Sequence, residues 1–121
     1  MEITELVDKT FTKVYKKDDD SELTFELSDG GKYVFYHEQD CCETVEITDI
    51  VGDLQDLAGS PIVSAFERTY DMGGAMGTST WTFHNFVTLN VWVTVRWFGE
   101  SNGYSSESVS LRYEENNFKE V

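Results

Sequence analysis

The chain is poor in proline, histidine, cysteine and positive charge: 121 residues hold one Pro, two His, two Cys and nine Lys and Arg. One proline among nine glycines excludes collagen-like and linker-like sequence. The two cysteines are neighbours, Cys41 and Cys42, so they cannot staple distant segments. Without a disulfide framework a reducing compartment, the cytoplasm, is expected, with both sulfurs as free thiols. No apolar run approaches the roughly 18 residues of a membrane span. The start, Met1-Glu2-Ile3-Thr4-Glu5, lacks the basic and apolar regions of a signal peptide. The scarcity of bases against 23 Asp and Glu leaves a net charge of −14. Such a field repels phosphate backbones and excludes direct nucleic-acid binding as the first reading. It attracts a basic protein surface and lowers the cost of holding a cation.

What is present is a globular composition, 40% hydrophobic and 14% aromatic. A chain of this size buries about two-thirds of its unfolded surface, enough for a single domain over residues 1–121. Alternation of apolar and polar residues predicts strands at Phe11–Tyr15, Leu23–Leu27, Lys32–Tyr36 and Val45–Ile47. Asp29-Gly30-Gly31 is a hairpin signal between the second and third. Ile50, Leu54 and Leu57 fall at i, i+4, i+7 and predict a short helix over Asp49–Ala58, ended by Gly59 and Pro61. Strands follow at Ile62–Tyr70, Thr80–Leu89, Val91–Phe98 and Val109–Tyr113, with a flexible loop at Asp71–Ser79 and a loose tail from Glu114. In the strand Val91–Phe98, one face takes Val91, Val93, Val95 and Trp97 and the other Trp92, Arg96 and Phe98. The expected class is α+β: an antiparallel sheet or open barrel of about eight strands with one short helix.

The sharpest chemical feature is His37-Glu38-Gln39-Asp40-Cys41-Cys42-Glu43. Imidazole and thiolate are the ligands zinc prefers, and His37 and Cys41 stand four apart in a segment expected to curl. A structural zinc on His37, Cys41 and Cys42 is the expectation, with the fourth ligand from His84, Glu38, Asp40 or Glu43. The competing reading makes the cysteines small buried hydrophobes and His37 a satisfied strand-end residue. Cysteine–histidine catalysis is disfavoured, because Glu38, Asp40 and Glu43 raise a thiol's pKa and deplete the nucleophilic thiolate. Arg96, set among aromatics, is expected to pair with an acid on a neighbouring strand, and otherwise to hold a carboxylate or ligand. The Ser101-Asn102-Gly103-Tyr104-Ser105-Ser106 segment has the chemistry of a tight turn.

The His-Glu-Gln-Asp-Cys-Cys-Glu motif resembles one found in small uncharacterised proteins of phages, prophages and Gram-positive bacteria. The resemblance continues through Asp49–Leu54, Gly59–Ile62, Trp81–Phe83 and Val95–Gly99, and ends at Ser101–Glu107. It covers the chain from about Thr10 to Leu111 and brings no activity or catalytic residues. It implies a phage origin, and small acidic phage proteins resemble anti-CRISPR inhibitors. The expected function is therefore a non-enzymatic inhibitor working in the cytoplasm of a host bacterial cell. It would bind the basic surface of a CRISPR effector nuclease, or a similar host protein, and block nucleic-acid loading. The acids expected to make that contact are Asp18, Asp19, Asp20 and Glu22 near one turn, and Asp53 and Asp56 on the predicted helix. The alternative is a small metal-dependent hydrolase or nucleotide-ligand-binding protein centred on the His-Cys-Cys site.

Overall fold

Apolar residues that alternate along a strand give each strand one face to bury, and two such sheets can bury theirs against each other. The computed structural model, which describes residues 1–74 and 77–116, shows this arrangement. Its strands are β1 (Lys13–Lys16), β2 (Glu22–Glu26), β3 (Lys32–Tyr36), β4 (Thr44–Val51), β5 (Ser64–Gly74), β6 (Gly77–Val87), β7 (Trp92–Ser101) and β8 (Ser110–Glu114). They form two four-stranded antiparallel sheets, ordered β1-β2-β3-β8 and β4-β7-β6-β5. The inner faces meet at aromatic rings. Phe86 of β6 lies 4.7 Å from Phe25 of β2 and 5.6 Å from Phe35 of β3, centre to centre. Leu6, Phe11, Leu57 and Ile62 close the same core from the connecting segments. Each fully buried side chain of this kind contributes about 1.5–3 kcal/mol relative to an exposed one.

Local chemistry explains the turns. At Asp29-Gly30-Gly31, Gly30 takes φ +88 and the Asp29 carboxylate accepts the Gly31 N–H at 2.8 Å, which joins β2 to β3. Between Ile47 and Asp49 the β4 register against β7 slips by one residue. This bulge lets Ile47 and Ile50 both oppose the inward residues Trp97 and Val95, while Asp49 comes opposite Arg96 on the outer face.

Two sequence expectations need correction. The helix over Asp49–Ala58 does not form; the described residues contain only 3-10 turns, at Ile3–Leu6 and Leu54–Leu57, and no α-helix. Asp49, Ile50 and Val51 pair with β7 instead, and Gly52 at φ +106 ends the strand. Ten residues are too few for a helix to stand without tertiary support, and the β7 edge offers Ile50 and Val51 a better place. Leu54 and Leu57 still reach the core, so the helical spacing was a true burial signal carried by a tighter turn. The sheets also remain two separate layers and do not close into a barrel. Most of the expected loop Asp71–Ser79 is strand, because β5 runs to Gly74 and β6 begins at Gly77; residues 75–76 lie outside the described residues. The expected loose tail lies outside them from residue 117. Among the described residues no helix is long and apolar enough to cross a membrane.

Candidate functional site

The His-Glu-Gln-Asp-Cys-Cys-Glu segment links β3 to β4, and its centre is Glu43. Glu43 opens β4 from a buried position, so its carboxylate must find donors nearby. It finds the His37 Nε2 at 2.8 Å, the Asp40 and Cys41 backbone N–H at 2.9 Å each, and the Gln39 side-chain amide at 3.2 Å. The His37 ring, and after it the Cys41 and Asp40 amides, hold the Glu43 carboxyl down to about 2, from an ordinary 4.5. The other ring nitrogen of His37, Nδ1, faces the Ser108 carbonyl at 2.7 Å. Both His37 nitrogens thus face oxygen atoms. The turn gathered around Glu43 brings Cys41 and Cys42 together as a vicinal disulfide on the surface. This corrects the expectation of two free thiols: the folded turn puts the two sulfurs side by side.

His84 lies elsewhere. It sits fully buried on β6 against the ring of Phe35 at 4.7 Å. The Trp97 indole N–H can only donate, and it points at His84 Nδ1 at 3.1 Å. That nitrogen must therefore accept, which leaves the proton on Nε2 to donate to Glu67 at 2.8 Å. Burial lowers the His84 pKa, and the bond to Glu67 only partly opposes it, so the ring is neutral.

The four side chains expected to share a zinc ion, His37, Cys41, Cys42 and His84, therefore each have other partners. The sulfurs are bonded to each other, His37 faces oxygen atoms with both nitrogens, and His84 uses its one lone pair on Trp97. Among the described residues no group of three or more His, Cys, Asp or Glu is placed to hold a metal ion. A buried carboxylate that sequence reading overlooked, Glu107, is also structural. Burial resists its ionisation, but the hydroxyls of Ser101, Thr78 and Thr80 outweigh that and lower its pKa. It pins the Ser-Asn-Gly-Tyr-Ser-Ser segment against β6, and Gly99 gives it room: a Cβ there would stand 3.0 Å from Glu107.

The acids expected to meet a partner fall on one side of the first sheet. Asp18, Asp19 and Asp20 occupy the turn that leaves β1, and Asp53 and Asp56 lie on the 3-10 turn Leu54–Leu57. That turn packs along the free edge of β1, where the Gln55 side chain accepts the Val14 N–H at 3.2 Å. Residues more than thirty apart in sequence thus flank the same strand. Asp20 pairs with Lys16 at 2.7 Å, Glu22 reaches Arg112 at 3.5 Å, and Asp53 caps its turn through the Gln55 N–H. Asp18, Asp19, Asp53 and Asp56 are exposed.

The outer face of the second sheet holds a feature the sequence only partly disclosed. A groove of about 470 Å³ is lined by Arg68 and Tyr70 of β5, Trp81, Phe83 and Asn85 of β6, and Arg96 of β7. The ladder aligns Arg68, Phe83, Arg96 and Asp49 in one row across four strands. Arg96 pairs with Asp49, the neighbouring-strand acid that the sequence reading anticipated. Period-two alternation places Arg96, Trp92 and Phe98 outward; only the pairing of β5 with β6 adds Arg68 and Tyr70.

No curated protein and no solved structure matches the chain. Residues 4–111 match the profile of the Domain of unknown function (DUF7448), and the chain belongs to that family.

Proposed function

We propose that this protein is a non-enzymatic binding module that docks on a positively charged partner protein. One observation supports the reading: Asp18–Asp20 leave the end of β1, and Asp53 with Asp56 lie on the turn that packs beside the same strand. The buried titratable groups point the same way. Glu43, Glu107 and His84 are all consumed in holding turns and strands together, whereas a general acid or base needs a free, poised group. In its narrowest form the module is an inhibitor of a CRISPR effector nuclease that occupies the surface where nucleic acid loads. That form is supported by the −14 charge, the small size and the resemblance to phage and prophage proteins.

The test is complex formation with a panel of guide-loaded and unloaded CRISPR effectors, with cleavage measured in parallel. Binding to at least one effector is expected. Changing Asp18 and Asp56 to Lys, two exposed acids whose carboxylates hold no turn among the described residues, abolishes that binding while the melting temperature stays close to that of the parent. Failure to bind every effector removes the narrow form. Undiminished binding by the reversed variant removes the acidic edge as the docking surface.

A further inference from the structure

The groove on the outer face of the second sheet has a chemistry unlike the rest of the surface. We propose that it binds a small planar ring compound carrying an anionic group, a phosphate or a carboxylate. This inference is independent of the acidic edge on the opposite sheet.

The donors argue for the anion. In a chain of net charge −14, this groove is lined by two guanidiniums and by no carboxylate. Arg68 is exposed, lies 5.5 Å over the Phe66 ring and has no carboxylate partner among the described residues. Arg96 spends one end on Asp49, and its half-exposed guanidinium still lines the groove. The two arginines flank Phe83, one strand away on each side, about 10 Å apart at ordinary strand spacing. Asn85 adds a third donor. Its carbonyl oxygen accepts from the Trp92 indole at 3.1 Å and from the Thr94 hydroxyl at 2.7 Å. Because an indole N–H can only donate, the oxygen's position is fixed and the amide NH₂ is the end left without a partner among the described residues.

The rings argue for a planar body. Trp81 and Phe83, two apart on one strand, are stacked within 12° of parallel with centres 6.2 Å apart, so both present ring faces in one orientation. Tyr70 stands against Phe83 at 76° and 5.4 Å and walls one side. Rings alone would also attract a cation, but two guanidiniums repel one. The volume suits a molecule of mononucleotide or aromatic-acid size. A polyanion is disfavoured by the net charge of −14.

The experiment is a titration of the ¹⁵N-labelled full chain, followed by NMR, with adenosine monophosphate and indole-3-acetate. Adenosine, indole and inorganic phosphate are the controls. Saturable shifts are expected at Arg68, Tyr70, Trp81 and Phe83, with each anion binding about tenfold or more tightly than its neutral parent, the yield of one charge-assisted contact. Shifts from both anions identify a general aromatic-anion site; shifts from the nucleotide alone assign the anion to phosphate. Arg68→Gln, which touches no ion pair, removes the advantage of the anion and leaves the rest of the spectrum in place. The proposal is overturned by the absence of saturable shifts, by neutral parents that bind equally well, by shifts located elsewhere, or by an Arg68→Gln variant that keeps the preference. Self-association of the free protein through this face, seen as concentration-dependent shifts at the same residues, overturns it too.

Discussion

Replacing Trp97 by Phe tests the buried His84 network. Trp97 and His84 are both fully buried, and among the described residues the indole N–H is the one donor to His84 Nδ1. Phe removes that donor and leaves a dry lone pair, a cost of about 1–3 kcal/mol. The smaller ring adds a packing loss of about 1–2 kcal/mol for the space it vacates. A total near 3 kcal/mol corresponds to a fall in melting temperature of about 10–15 °C for a chain of this length. Urea denaturation followed by circular dichroism reads the free energy directly. The same substitution in a His84→Phe background separates the two parts, since the acceptor is then gone. There Trp97→Phe costs only the packing term, and the cycle returns a coupling of about 1–3 kcal/mol. If Trp97→Phe costs the same in both backgrounds, the hydrogen bond contributes nothing and the assigned His84 tautomer is wrong.

Three further outcomes follow from the same geometry. Glu43 has its pKa lowered to about 2, so its ionised form stabilises the fold above about 4.5 and that stability is lost as pH falls toward about 2. The urea midpoint should fall across this window in the parent and fall less steeply in Glu43→Gln, which is less stable at neutral pH. His84, with a lowered pKa, adds a loss that begins as pH drops below its ordinary 6.5, and Glu107 acts in the same direction as Glu43. Nitrogen shifts should report a neutral Nε2–H ring at His84 at neutral pH; a proton on Nδ1 instead would contradict the hydrogen bonding described. Because His37, Cys41, Cys42 and His84 have all committed their donor atoms, elemental analysis of protein purified without chelator should find no stoichiometric zinc. One zinc per chain would overturn that arrangement.

Most strands were legible because alternation is a direct record of burial. The predicted Lys32–Tyr36 is β3 as observed, and Val93, Val95 and Trp97 do face the core. The helix at Asp49–Ala58 misled because Ile50, Leu54 and Leu57 all reach the core, and periodicity alone does not say whether a strand end and a 3-10 turn share the work. The His-Cys-Cys motif was read as a ligand set because ligand types are visible in sequence and their partners are not. Glu43, treated as a spare carboxylate, is the residue that organises the turn, and nothing in the order of residues marks it as buried. His84 could not be assigned until Trp97, thirteen residues away, was seen across the strand pair. The aromatic groove was half visible: alternation exposed Arg96, while Arg68 and Tyr70 depend on long-range pairing that a sequence does not display.

On the proposed function, this acidic fold recognises a basic protein surface by charge. The most direct measurement is the association rate with a bound effector as salt is raised from 0.1 M to 1 M, over which the Debye length shrinks from about 10 Å to about 3 Å. Charge-steered docking predicts a steep fall in that rate, with the dissociation rate changing far less and with no affinity for free DNA or RNA at physiological salt. An association rate that is flat across the series, or tight binding to naked nucleic acid, would contradict it.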